Sequence, residues 1–147
     1  MVAGDARLMT EFRGLRNYAG PQVPLPIIAA STAAWSDEEH VKKNRAAYRE
    51  KFEIARVKLG NRPGFRLPKG GFFLWLDVGD GVRVTTELWR DAGVRVLPGA
   101  YMGRQTEPGK SQSNPGFPYI RVALVNDSST IMAALQRVQE VLERDGK

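Results

Sequence analysis

Residues 36–60, "SDEEHVKKNRAAYREKFEIARVKLG", predict the longest helix of the chain, about six turns. Ser36 with Glu39 three residues later forms a capping-box pattern, and Gly60 is expected to end the helix in a left-handed conformation. The apolar residues recur at helical spacing along one face: Val41, Tyr48, Phe52, Ala55 and Leu59. A helix with one apolar face must cover it with another element, so this segment requires a sheet or further helices beside it.

Three apolar segments after this helix are predicted to be strands: "FFLWLDV", "VRVLPG" and "YIRVALV". A short helix, "VTTELWRDAG", separates the first two segments, and a last helix follows Asp127, its expected cap. The last helix carries an apolar stripe: Ile131, Leu135, Val138 and Leu142. This order predicts an α+β domain, in which a small three- to four-stranded sheet is backed by the long helix and the C-terminal helix.

Two further helices are predicted in the first 35 residues. "DARLMTEFRGLRNY" follows Asp5, a plausible cap, and "PLPIIAASTAAW" confines its prolines to the first turn, where a helix tolerates them. The second segment is apolar throughout and is predicted to be a buried helix. The apolar side chains of this region are Leu8, Phe12, Leu15, Ile27, Ile28 and Trp35.

Composition excludes several classes of function. The 147 residues contain no cysteine and a single histidine, His40, so disulfides, thiolate chemistry and a histidine metal site are not expected. The first residues, "MVAGDARLMTEF", lack the apolar core of a signal peptide, and no apolar tract is long enough to cross a membrane. The net charge of +6 is scattered, which argues against nucleic acid as a partner. A basic nucleic-acid-binding domain stays open as an alternative that a steep salt dependence of binding would indicate.

Arg121 is the candidate functional residue that the strand pattern isolates. Side chains alternate along a strand, so Ile120 and Val122 face a core while Arg121 faces the other way. An unpaired guanidinium is costly to bury, so Arg121 either reaches solvent or binds an anion. A long polar loop rich in glycine and proline, residues 100–118, precedes this strand, and loops of this length are usually functional or disordered.

Four segments follow one another along the chain: "LPKGGFFLWLDV", "AGVRVLPGAYMGR", "YIRVALV" and a terminal helix. In this order they resemble the C-terminal part of pyridoxal-phosphate-dependent class I/II aminotransferases, of fold type I. The resemblance covers essentially the whole chain. Within that family, "RNYAGPQVPLPIIAASTAAW" and "LPGAYMGR" are most similar to the succinyldiaminopimelate transaminases.

The resemblance implies a role for each part of the chain. Residues 36–147 would be the small C-terminal domain, and residues 1–35 would be two helices that pack on the large domain. Arg121 would bind the α-carboxylate of an amino-acid or 2-oxo-acid substrate, and Tyr101 and Gly103 would line the same cleft. The complete enzyme would use pyridoxal 5'-phosphate, transfer amino groups, form a homo-oligomer and be cytoplasmic.

The same resemblance places the catalytic centre outside this chain. The family's Schiff-base lysine stands in a Ser-x-Ser/Thr-Lys context that this sequence lacks, and Gly14-Leu15-Arg16 matches the family's phosphate motif only by chance. None of the lysines of the long helix is expected to be buried, because all of them fall outside its apolar stripe: Lys42, Lys43, Lys51 and Lys58. We therefore expect no catalytic, cofactor-binding or metal-binding residue here, no cofactor bound to this chain alone, and no activity in isolation. The alternative is a stand-alone, non-catalytic domain from a truncated gene that binds an amino acid or a partner.

Overall fold

A computed structural model of the chain describes residues 2–20 and 23–144. It divides into two compact units, an N-terminal unit of residues 1–41 and a C-terminal unit of residues 42–147, which are described separately.

The N-terminal unit contains helices α1 (Ala6–Ala19) and α2 (Leu25–Ser36). Asp5 caps α1 as predicted, because its Oδ1 atom accepts hydrogen bonds from the backbone N–H groups of Arg7 and Leu8 at 3.0 and 3.3 Å. No residue of α1 or α2 is buried, so the prediction of a buried second helix is wrong. A helix that is apolar on all sides is buried only when other elements surround it, and the described residues do not surround α2.

Helix α3 (Glu39–Leu59) has the predicted length and ends just before Gly60 as predicted, but its predicted start and the predicted left-handed conformation of Gly60 are wrong. Ser36 is the last residue of α2, where its hydroxyl donates to the Thr32 carbonyl at 2.9 Å, and Asp37 instead accepts a hydrogen bond from the N–H of Glu39. The Gly60 N–H still donates to the Arg56 carbonyl at 2.9 Å, so the last helical turn is completed there without a left-handed residue.

The sheet consists of β1 (Phe73–Asp77), β2 (Leu97–Pro98) and β3 (Tyr119–Ala123). Its order is β1-β3-β2 and both pairings are antiparallel, so β3 is the central strand. Strand β2 is shorter than predicted because Pro98 has no N–H to donate, and the chain then enters a 3₁₀ turn over Gly99–Met102. The three strands and their flanking helices confirm the predicted α+β class.

One face of the sheet and three helices form the core of the C-terminal unit. Helix α4 (Gly81–Ala92) begins at Asp80 and ends at the left-handed Gly93, and α5 (Ser128–Arg144) begins after Asp127. The buried side chains come from β1, β3, α3, α4 and α5: Leu74, Leu76, Ile120, Val122, Phe52, Ala55, Leu59, Val84, Leu88, Ile131, Leu135, Val138 and Leu142, among others. The sequence predicted the contributions of α3 and α5 but not that of α4.

Lys51 is buried, contrary to the prediction that every lysine of α3 would be exposed. Its exposed fraction is 9%, and its ammonium lies 4.8 Å from the centroid of the Tyr48 ring. The next residue, Phe52, is buried as well, and the charged end of Lys51 lies over the face of the Tyr48 ring.

Candidate functional site

The second face of the sheet is not part of the core. Along β1 and β3 the fully buried side chains alternate with half-buried ones, as period-two geometry requires. The half-buried side chains of this open face are Phe73, Trp75, Leu97, Tyr119 and Arg121. The open face is therefore largely aromatic and apolar, and it carries one cation.

Arg121 lies at the centre of the open face. In the antiparallel register it stands opposite Trp75 on β1 and opposite Leu97 on β2. Its guanidinium carbon is 4.5 Å from the centroid of the Phe73 ring and 5.4 Å from that of Phe72. Among residues 42–144, no carboxylate forms an ion pair with Arg121.

This arrangement leaves the guanidinium able to bind an anion. The rings of Phe73 and Phe72 lie beside the guanidinium carbon, and the N–H donors of the group form no hydrogen bond with the residues that the structure describes. A carboxylate can accept two parallel hydrogen bonds from that edge, a geometry that lysine does not offer. The site can therefore bind a carboxylate.

Trp75 and Tyr119 form one wall of the open face. Their rings stack at a centroid distance of 5.4 Å with an interplanar angle of 24°. Gly99 packs closely against this wall. A Cβ at position 99 would lie 3.1 Å from the Trp75 ring and 2.5 Å from the Gly116 carbonyl oxygen. Glycine is thus required at position 99 for the close approach of two backbone segments.

The loop that contains Tyr101 and Gly103 is fixed by Asn114. The buried Asn114 side chain donates to the Ala100 carbonyl at 2.9 Å and accepts from the Gly116 N–H at 2.8 Å. A Cβ at Gly103 would lie 2.3 Å from the Asn114 side-chain oxygen, so Gly103 and Asn114 are close together in the structure. Tyr101 is 73% exposed and makes no hydrogen bond or ring contact with the residues that the structure describes.

Sequence reasoning identified Arg121 but missed the residues around it. The same alternation, applied to "FFLWLD", assigns Phe73 and Trp75 to one face and Leu74 and Leu76 to the other. The missing information was the register that places Trp75 opposite Arg121. Asn114 gave no signal, because a buried asparagine in a polar loop looks like any turn residue.

Metal-binding clusters and membrane-spanning helices are both absent from residues 2–20 and 23–144. No group of three or more histidine, aspartate or glutamate side chains there could hold a metal ion. Across the same ranges, no helix has both the length and the apolar composition needed to cross a bilayer.

Known proteins similar to this chain are aminotransferases. It is 32% identical over 140 residues to the 4-dedimethylamino-4-oxo-anhydrotetracycline transaminase of Streptomyces rimosus, covering 94% of this chain and 36% of that protein. An aminotransferase crystal structure from Neisseria meningitidis matches with a TM-score of 0.79 and 41% identity, covering 94% of this chain and 35% of that one. The crystal structure of the aminotransferase AspB from Helicobacter pylori matches with a TM-score of 0.77 and 28% identity, and the match covers 96% of this chain and 35% of that one. No protein-family model matches the sequence.

The matches extend over nearly all of this chain and a minor part of each relative. The chain spans about a third of the length of the curated relatives that it matches. Its α+β fold is that of the C-terminal domain of fold type I aminotransferases.

Proposed function

We propose that this chain is the C-terminal part of an aminotransferase and that Arg121 binds the α-carboxylate of the amino-acid and 2-oxo-acid substrates. The observation that carries the proposal is a half-buried guanidinium at the centre of an aromatic sheet face, with no carboxylate partner among residues 42–144. The similarity of nearly the whole chain to aminotransferases supports it.

The surroundings of Arg121 favour binding of an anion. The rings of Phe73 and Phe72 restrict the guanidinium before a ligand arrives, so less rotamer entropy is lost on binding. Neighbouring apolar side chains exclude part of the water, which strengthens a charge-assisted hydrogen bond. Such bonds contribute roughly 1.5–3 kcal/mol each when both partners are well placed.

The complete protein would use pyridoxal 5'-phosphate, which supplies the electron sink for amino transfer. The open face of the sheet does not provide a site for it. A Schiff base requires a lysine at the reacting centre, and the open face of the sheet contains none. The chain's own contribution is to hold the substrate carboxylate, and the cofactor would be bound by residues outside this chain.

Several finer assignments belong to the same proposal. Residues 1–35 would pack on a large domain, a role supported by the exposed apolar side chains of α1 and α2, and the small domain would be residues 36–147. Tyr101 and Gly103 would line the substrate cleft. We further propose a cytoplasmic homo-oligomer that transfers an amino group between N-succinyl-diaminopimelate and 2-oxoglutarate in lysine biosynthesis.

A second candidate is a stand-alone domain without catalytic activity that binds an amino acid or a partner. The observation that favours it is the complete core of the C-terminal unit, which draws on β1, β3 and three helices. The DNA upstream of the Met1 codon separates the two candidates. An open frame that encodes Ser-x-Ser/Thr-Lys supports the aminotransferase, and an in-frame stop followed by a promoter supports the stand-alone domain.

The role of Arg121 can be tested on this chain. We expect 2-oxoglutarate to shift the NMR resonances of the Arg121 side-chain N–H and the Trp75 indole N–H, because both lie on the open face. Arg121→Gln should abolish the response, and Lys43→Ala, which changes an exposed cation of α3, should preserve it. A response that survives Arg121→Gln would refute the assignment.

A further inference from the structure

A cavity of the C-terminal unit is lined in part by Phe72, the ring of which also contacts Arg121. It has a volume of about 710 Å³, which falls within the range of roughly 300–1,000 Å³ typical of small-molecule sites. Helix α3 supplies one wall and the segment of residues 67–72 supplies the other. We call it the α3 cavity.

The lining of the α3 cavity is positively charged. Arg45, Arg49 and Lys69 line it, and none of them has a carboxylate partner among the residues that the structure describes. Glu53 is the one acidic residue of the lining, and its carboxylate is already engaged by Arg56, whose Nε donates to it at 2.7 Å. Unpaired cations around one concave site create a field that attracts anions.

Aromatic rings also line the cavity. Tyr48 and Phe52 lie with their ring centroids 6.5 Å apart, and Phe72 on the opposite wall is 43% exposed. The exposed ring of Phe72 and the half-buried ring of Tyr48 provide apolar surface against which a planar ring can be buried. The lining therefore combines apolar ring surface with cationic groups.

The glycine pair on the second wall leaves backbone groups available. The N–H groups of Gly70 and Gly71 donate to no acceptor among the described residues. Gly71 has a φ of +95°, a conformation that other residues rarely adopt, and a Cβ on either glycine would meet no atom within 4 Å. A ligand can thus approach this backbone closely.

We propose that the α3 cavity binds a small organic anion in which a planar ring carries a phosphate or carboxylate group. Arg45, Arg49 and Lys69 bind the anionic group, and Tyr48 and Phe72 contact the ring. This site is distinct from that of Arg121, although the two adjoin, since the Arg121 guanidinium also contacts the Phe72 ring.

The test is an NMR titration of the 147-residue chain with phenyl phosphate. We expect saturable shifts of the Gly70, Gly71 and Arg49 amides, and weaker binding of both inorganic phosphate and phenol, since each supplies half of the recognised structure. Arg45→Ala and Arg49→Ala should each weaken phenyl phosphate binding by about tenfold, the loss of one charge-assisted contact. Lys43→Ala is the matched control, because it removes an exposed cation of α3 that does not line the cavity. An unchanged amide spectrum without ligand verifies that each variant is folded.

Three outcomes would overturn the proposal. The first is equal weakening by Lys43→Ala and Arg49→Ala, which would indicate attraction by the general positive charge. The second is equal binding of phenyl phosphate and inorganic phosphate, which would exclude a contribution from the rings. The third is that Arg121→Gln abolishes binding while Arg45→Ala and Arg49→Ala leave it unchanged. This result would place the ligand on the open face of the sheet.

Discussion

The guanidinium carbon of Arg121 lies 4.5 Å from the centroid of the Phe73 ring. Phe73 pairs with Ala123, two residues along β3 from Arg121, so the contact is a diagonal cross-strand pair on one face of the sheet. A ring restrains a cation in this geometry without neutralising it. Arg121 is therefore positioned by its neighbours while its charge remains available to a ligand.

Phe73→Leu should weaken anion binding without unfolding the chain. Leucine keeps an apolar side chain at the position but removes the ring face, which contributes about 0.5–1 kcal/mol at a partly exposed site. We expect the Kd for 2-oxoglutarate, measured by NMR titration, to rise about two- to fivefold. Phe65→Leu, which changes a half-buried phenylalanine with no cation over its ring, is the control. An equal effect of both variants would show that the Arg121–Phe73 contact has no role in binding.

Arg121→Lys should leave folding almost unchanged and impair the complete enzyme. The arginine has no ion pair to lose among residues 42–144, so we expect the unfolding free energy in urea to change by less than about 0.5 kcal/mol. In the complete enzyme, loss of the two-pronged carboxylate contact should lower kcat/KM by about 10- to 100-fold with cofactor binding retained. A chain that unfolds on this substitution would make Arg121 a structural residue.

Gly116→Ala should destabilise the C-terminal unit. A Cβ at this position would lie 2.1 Å from the Gly99 carbonyl oxygen, and both atoms belong to backbone that cannot move independently. We expect a loss of more than about 2 kcal/mol in urea unfolding. Gly70→Ala is the matched control, because a Cβ there meets no atom within 4 Å. Equal stabilities of the two variants would mean that the loop backbones can separate at little cost.

Asp127 should contribute stability that is lost in acid. Hydrogen bonds from the Ser129 hydroxyl and from the Thr130 N–H and hydroxyl lower the pKa of the Asp127 carboxyl well below its ordinary value of 3.8. A group whose pKa is lower in the folded chain stabilises it above the unfolded pKa, and this contribution decreases as the pH falls below about 4. Asp127→Asn should therefore be less stable than the unsubstituted chain at pH 6, with a smaller difference at pH 3. A difference that is constant between these pH values would contradict the assignment.

The exposed apolar residues of the N-terminal unit should cause self-association. Phe12 is 41% exposed and Ile27 is 54% exposed, and apolar patches of this kind recruit partners. We expect sedimentation to show a concentration-dependent oligomer that Phe12→Glu and Ile27→Glu each disrupt. Val57→Glu, at an exposed apolar position of the C-terminal unit, should not disrupt it. A monomer at all concentrations would refute the prediction.

Local patterns were sufficient for most elements. The apolar spacing of α3 and α5 and the alternation in β1 and β3 are properties of a few neighbouring residues, so they were readable before any tertiary contact was known. The start of α3 was mispredicted because Ser36 belongs to the preceding helix, where its hydroxyl donates to the Thr32 carbonyl. Burial of Lys51 was missed since it depends on the ring of Tyr48, one turn away.

The sequence alone determined that Arg121 lies on the side of its strand opposite the core, because period-two alternation allows no other arrangement. It could not determine what surrounds that side chain. Those surroundings come from segments that are distant in the chain. They are the register that sets Trp75 opposite Arg121, the contact with Phe73, and the hydrogen bonds of Asn114 that fix the neighbouring loop. Strand pairing and loop closure depend on how the whole core packs. Only the tertiary structure therefore decided that this cation would lie among aromatic rings and form no ion pair with the residues that the structure describes.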